Sequence, residues 1–96
     1  MSEEVFVEMT INVSDIEVGG VYRTPNNQER VVLEYEPGGK VKYTSRGGNV
    51  QNEFSTMNEC KPERFAEKCS EKIEDLPEGE FTRVRKSFVD RGLVSE

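Results

Sequence analysis

The sequence predicts a mainly β fold with α additions: a small antiparallel barrel, then a C-terminal helix, then a second short helix in the tail. Three observations carry this. Short alternating apolar runs fill residues 16–57; Gly19-Gly20, Pro25-Asn26-Asn27, Pro37-Gly38-Gly39 and Gly47-Gly48-Asn49 punctuate them; and the apolar period lengthens from two to four after Met57. At 96 residues, a third hydrophobic and a third charged, the chain is read as one domain, 1–96, with a single small core. Such a domain has a stability margin of about 5 to 10 kcal/mol.

Each element follows from its pattern. Residues 5–13 alternate, with Val5, Val7, Met9, Ile11 and Val13 on one side and Phe6, Glu8, Thr10 and Asn12 on the other, which predicts a half-buried N-terminal strand. The barrel meander spans 16–57, where Gly19-Gly20 lets the wall bend before Val21-Tyr22-Arg23-Thr24. Its clearest hairpin joins Arg30–Glu36 to Lys40–Arg46 through Pro37-Gly38-Gly39. Alternation then sets Tyr35 opposite Val41, Leu33 opposite Tyr43 and Val31 opposite Ser45 on the inner wall. Glu34 meets Lys42 and Arg30 meets Arg46 outside. A two-residue turn at Gly47-Gly48 continues the meander, pairing Ser45 with Val50, Val41 with Phe54 and Lys42 with Glu53. Pro62 suits the start of a helix, and Phe65, Cys69 and Ile73 recur every four residues, so a helix over 62–74 closes one mouth of the barrel. In the tail, 75–96, residues 80–91 read as the second helix, with Phe81, Val84 and Phe88 on one side and Gly92 as a left-handed cap.

The chemistry is bounded by what is missing. The chain has no histidine, the commonest general base, and no GxSxG; neither glycine pair has the spacing of a phosphate loop. A non-catalytic protein without a cofactor is expected. Cys60 and Cys69, nine positions apart, fit neither CxxC nor a disulfide framework and read as reduced thiols. No metal site is expected, because any such site would need carboxylates for most of its ligands. Residues 1–4 lack the basic and apolar regions of a secretory leader, and no apolar run is long enough to cross a bilayer. The expected location is cytoplasmic, away from membranes.

Charge offers two candidate surfaces. The net charge is -6, yet residues 19–50 carry five bases against three acids. Arg30 directly opposite Arg46 costs stability unless a carboxylate such as Glu29 or a bound anion compensates. With Arg23 nearby and Tyr22 as a stacking surface, these arginines form a candidate patch for an acidic partner or phosphate, and single-stranded nucleic acid is the alternative ligand. The acidic total counts against nucleic acid as the main partner. The rival surface is acidic: Glu3, Glu4, Glu8, Asp15 and Glu17, with the predicted helix ridge Glu63, Glu67 and Glu71, present a field that would occupy the basic groove of a nucleic-acid-handling protein. Protein–protein contact through this surface is the expected function.

At Gly20-Val21-Tyr22-Arg23, Arg30-Val31-Val32, Val41-x-Tyr43 and Cys60-x-Pro62 with Phe65, the sequence resembles small SH3-like barrel proteins encoded in phages and prophages. The resemblance covers residues 16–73 and its motifs are structural. It implies an SH3-like barrel and a viral origin, but no functional residue.

Overall fold

The computed structural model describes residues 10–48 and 51–95. A 3-10 turn at Val13–Asp15 leads into five antiparallel strands, β1 (Gly20–Arg23), β2 (Gln28–Glu34), β3 (Val41–Gly47), β4 (Met57–Cys60) and β5 (Glu71–Asp75). Helix α1 (Pro62–Lys68) joins β4 to β5, and helix α2 (Glu78–Asp90) follows β5. The strands form one sheet in the order β4-β3-β2-β1-β5. Its edges are β4 and β5, and among the described residues no pairing between them closes the sheet. The architecture is therefore mainly β, one open sheet with two helices.

Both faces of this sheet are covered, which is why β2 carries the unbroken apolar run Val31-Val32-Leu33 rather than a clean alternation. On one face Tyr22, Val32, Val41 and Tyr43 meet Phe65 and Ala66 of α1, with Ile16 and Cys69. On the other, Val21, Val31 and Leu33 meet Val84 and Phe88 of α2, with Leu76 and Val94. The first is aromatic at its centre, the second largely aliphatic.

A bulge in β2 corrects the predicted register. Glu34 faces Lys42 as the alternation predicts, but between Val32 and Glu34 the pairing shifts by one. Below it Val32 meets Tyr43, Val31 meets Thr44, Arg30 meets Ser45 and Glu29 meets Arg46. Leu33 and Tyr35, predicted on one wall, consequently go to opposite faces. The predicted Arg30–Arg46 opposition does not occur. The β3–β4 connection is also longer than a two-residue turn: Val41 meets Cys60 and Lys42 meets Glu59, not Phe54 and Glu53. Gly47 and Gly48 have φ of 76° and 58°, but the chain first loops so that the Phe54 N–H donates to the Ser45 carbonyl at 2.8 Å. Val50 lies outside the described residues.

Three further expectations change. Residues 5–9 of the predicted N-terminal strand lie outside the described residues, while 10–12 are not in a strand and Val13 begins the 3-10 turn. Ile11 nevertheless packs on the aromatic face, its N–H donating to the Cys69 carbonyl at 3.2 Å. The helix predicted over 62–74 stops at Lys68, and Glu71–Asp75 is strand β5 instead. The cause is packing, because Phe65 and Cys69 belong to the aromatic face and Ile73 to the aliphatic one, which a single helical stripe cannot serve. Helix α2 begins two residues earlier than predicted and ends one earlier. It closes at Gly92, φ 75°, with Gly92 N–H to Val89 O and Leu93 N–H to Phe88 O, both 2.9 Å.

Candidate functional site

Tyr22 is a core residue, not a stacking surface. It is 0% exposed, and its ring meets Phe65 edge-on at 5.4 Å. Its hydroxyl donates to the Asp15 carbonyl at 2.6 Å and accepts the Glu17 N–H at 2.8 Å, tying the 3-10 turn to β1. Burial raises its pKa, with the Glu17 N–H pulling the other way. The ring lies across Gly20: a Cβ there would sit 2.7 Å from the Tyr22 hydroxyl oxygen. The expectation of an exposed Tyr22 failed because Val21 and Tyr22 are both buried, one on each face.

The shifted register also divides the arginine patch. Arg30 lies on the aromatic face, its guanidinium carbon 4.8 Å from the Tyr43 ring centre and its Nε donating to Gln28 Oε1 at 2.7 Å. Arg46 lies on the other face, over the Phe54 ring at 5.3 Å. Arg23 shares that side through Glu29: Glu29 takes Arg46 Nε at 2.8 Å and Arg23 at 3.5 Å. Glu29, the compensating carboxylate the sequence offered, thus answers two of the three arginines. No joint anion site of Arg23, Arg30, Arg46 and Tyr22 forms.

The predicted acidic surface is redistributed as well. Glu3, Glu4 and Glu8 lie outside the described residues. The Asp15 carboxylate accepts the Asn12 N–H at 3.0 Å, and Glu63 and Glu67 are exposed on α1 beside Arg64 and Lys68. Glu71 leaves the helix ridge altogether, since it belongs to β5 and binds Arg23 at 2.9 Å. Around it a charged strip of two separate ion-pair clusters appears. Lys72 holds Glu17 at 2.8 Å and Asp75 at 3.0 Å, and Arg46 reaches Glu74 at 3.9 Å and Glu80 at 4.0 Å. Hydrogen bonds from Lys72 to Glu17 and then Asp75 raise its pKa. The sequence reading missed Glu74, Asp75 and Glu80 because it placed this stretch in and beyond a helix. Four charges flanking Ile73 were the available sign of a short, charge-protected edge strand.

The remaining chemistry is sparse. Cys60 and Cys69 are free thiols, and burial raises both pKa values, that of Cys69 to about 11. Among the described residues no group of three or more Cys, Asp or Glu is placed to hold a metal, and no helix is long and apolar enough to cross a membrane. No protein-family model, curated protein or solved structure matches this chain.

Proposed function

We propose that the protein is a non-catalytic binding protein that acts by contact with another protein, and that the contact is made at the acid-rich β5 edge of the sheet. The observation that carries this reading is the charge imbalance there. Glu29, Glu71, Glu74 and Glu80 share Arg23 and Arg46, and in a separate cluster Glu17 and Asp75 share Lys72, so six carboxylates meet three cations and three negative charges are left in surplus among them. Val18, 47% exposed, is the one large apolar side chain left exposed among the described residues, and it follows Glu17 in the chain. An apolar anchor within an acidic rim suits a partner with a basic face, such as a nucleic-acid-handling protein.

The lack of histidine and the raised thiol pKa values support the non-catalytic part. Direct nucleic-acid binding draws less support, since Arg23 and Arg46 are held by carboxylates and the sheet stands between them and Arg30. The finer fold reading is an SH3-like barrel left open, supported by the strand order and by the short helix between β4 and β5. A phage or prophage origin, and with it a cytoplasmic role against host machinery, rests on the resemblance alone.

Affinity capture from the producing cell tests this, comparing the natural chain with Val18→Asp and Glu74→Lys, two exposed changes that leave the core intact. The expected result is a co-purifying protein whose recovery falls at least about tenfold in each variant, a loss of roughly 1.4 kcal/mol, and falls with added salt. Recovery of nuclease-sensitive nucleic acid instead, or equal recovery by all three chains, counts against it.

A further inference from the structure

Toward the opposite edge of the sheet from β5, three strands and a loop converge on a cleft of about 350 Å³ whose described lining is four carboxamides and three hydroxyls. No charged residue is among them, although a third of the chain is charged. Gln28 of β2, Ser45 of β3 and Asn58 of β4 stand on the aromatic side of the sheet. Gln28 alternates with Arg30, Ser45 faces Arg30 across the ladder, and Asn58 faces Tyr43. The β3–β4 connection supplies the rest, among them Gln51, Asn52 and Thr56.

Ser45 sets this cleft apart from an ordinary hydrated hollow. The residue is 8% exposed and lines the cleft, and its hydroxyl makes no hydrogen bond among the described residues. A hydroxyl buried without a partner opposes folding, so its retention points to a ligand that completes it. The groups around it are held ready. Gln28 Oε1 accepts Arg30 Nε at 2.7 Å, which leaves the Gln28 NH₂ to donate to a ligand. The Thr56 carbonyl accepts Thr44 Oγ1 at 2.7 Å and the Ser45 carbonyl accepts the Phe54 N–H at 2.8 Å, so the loop is pinned to β3. Phe54 keeps a φ of 56°, a costly conformation for an aromatic residue.

From this arrangement we infer that the cleft binds one residue of a neutral sugar. Carboxamides and hydroxyls both donate and accept, which matches the neighbouring hydroxyls of a sugar ring. The volume lies at the low end of the roughly 300 to 1,000 Å³ of small-molecule sites, which suits a single ring. A phosphate or carboxylate would find no cation in the described lining and would meet a chain of net charge -6. A nucleobase would lack a stacking face, because Tyr43 is buried with Arg30 over its ring and Phe54 belongs to the other face. A peptide strand is read by backbone groups along an edge, whereas here side chains from three strands close on one point.

The inference is independent of the β5 edge, and its test touches a different surface. The isotope-labelled full chain is titrated with glucose, galactose, mannose and N-acetylglucosamine, with a trisaccharide of each, and with adenosine and inorganic phosphate. The expected result is saturable amide shifts confined to residues 28, 45 and 51–58 with at least one neutral sugar, at millimolar affinity. Response to a monosaccharide assigns a free sugar, and response to a trisaccharide alone assigns a sugar within a glycan chain. Ser45→Ala and the exposed Asn58→Ala should each weaken that response at least fivefold. Ser45→Ala should also leave the denaturant midpoint unchanged or raise it, because it removes a hydroxyl that the fold itself does not use. A lowered midpoint would show that the hydroxyl is already partnered. That result, shifts produced instead by phosphate or adenosine, shifts spread over the whole surface, or no shift with any sugar at high millimolar concentration would each overturn it.

Discussion

The two faces of the sheet are built from alternate residues of the same strands, yet they are held in different ways. On the aromatic face three rings meet edge to face, Phe65 standing 5.4 Å from Tyr22 and 5.2 Å from Tyr43, and a buried hydroxyl fixes the incoming chain. On the aliphatic face Val21, Val31, Leu33, Leu76, Val84 and Val94 surround Phe88, and charges at the margins hold the cover in place. Specific ring geometry tolerates little change; aliphatic packing relaxes around a lost group. The face under the short helix α1 should therefore be the more fragile of the two, although α2 is the longer cover.

The largest test of that contrast removes the central ring from each side. Phe65 and Phe88 are both fully buried, so truncating either to alanine falls in the range of about 3 to 5 kcal/mol. Phe65→Ala also forfeits two ring pairs, each worth about 0.5 to 1.5 kcal/mol, whereas Phe88 loses one exposed stack with Arg91 at 5.0 Å. Denaturant titration should place Phe65→Ala at the upper end and Phe88→Ala at least about 1 kcal/mol below it. Equal losses would remove the distinction between the faces.

Tyr22→Phe comes next and isolates the hydroxyl from the ring. It leaves the Asp15 carbonyl and the Glu17 N–H without their shared partner, an expected cost of about 1 to 3 kcal/mol with little change in ring packing. Gly20→Ala presses on the same ring from beneath. The added methyl would lie 2.9 Å from two ring carbons that those hydrogen bonds hold in place, and overpacking of this kind costs about 1 to 3 kcal/mol. Its loss should shrink to under about 1 kcal/mol in a Tyr22→Leu background, where the ring is gone. An undiminished loss would point to the Gly20 backbone rather than to the ring.

The contrast between the faces also explains what could be read from the sequence. Gly92 and the hairpin at Pro37-Gly38-Gly39 were legible because turn and cap residues act locally. The Glu34–Lys42 pairing followed from alternation next to that turn. The bulge at Leu33 was not legible, since a strand buried on both sides has no alternation to lose, and one unseen register step divided Arg30 from Arg46. Strand β5 was hidden for a related reason. Its one apolar residue, Ile73, continues a four-residue spacing from Phe65 and Cys69 that looks helical, and only pairing with β1 selects the strand. The charged strip at that edge stayed invisible with it.

The smallest expected effect concerns how the aliphatic face is fastened at its margin. Val94 is buried in that core, and its neighbour Ser95 donates its N–H to Glu34 at 3.0 Å and its hydroxyl at 3.3 Å, while Lys42 reaches the Leu93 carbonyl at 3.5 Å. The Ser95 N–H is the main reason that the Glu34 pKa is lowered, with Lys42 and Arg85 adding to it against partial burial. A carboxyl whose pKa is depressed on folding contributes stability that is complete above its unfolded value, about 4.3, and is lost as pH falls through the folded value. The loss should be under about 1 kcal/mol, because the group is partly solvated. It should therefore appear as local loosening rather than unfolding: exchange of the Ser95 amide, corrected for its intrinsic rate, should accelerate between pH 6 and pH 3 while amides of β2 and β3 stay protected. Glu34→Gln retains an acceptor oxygen but carries no charge to lose. In that variant the acid-dependent step should vanish, and its persistence would assign the tail's fastening to Val94 packing alone.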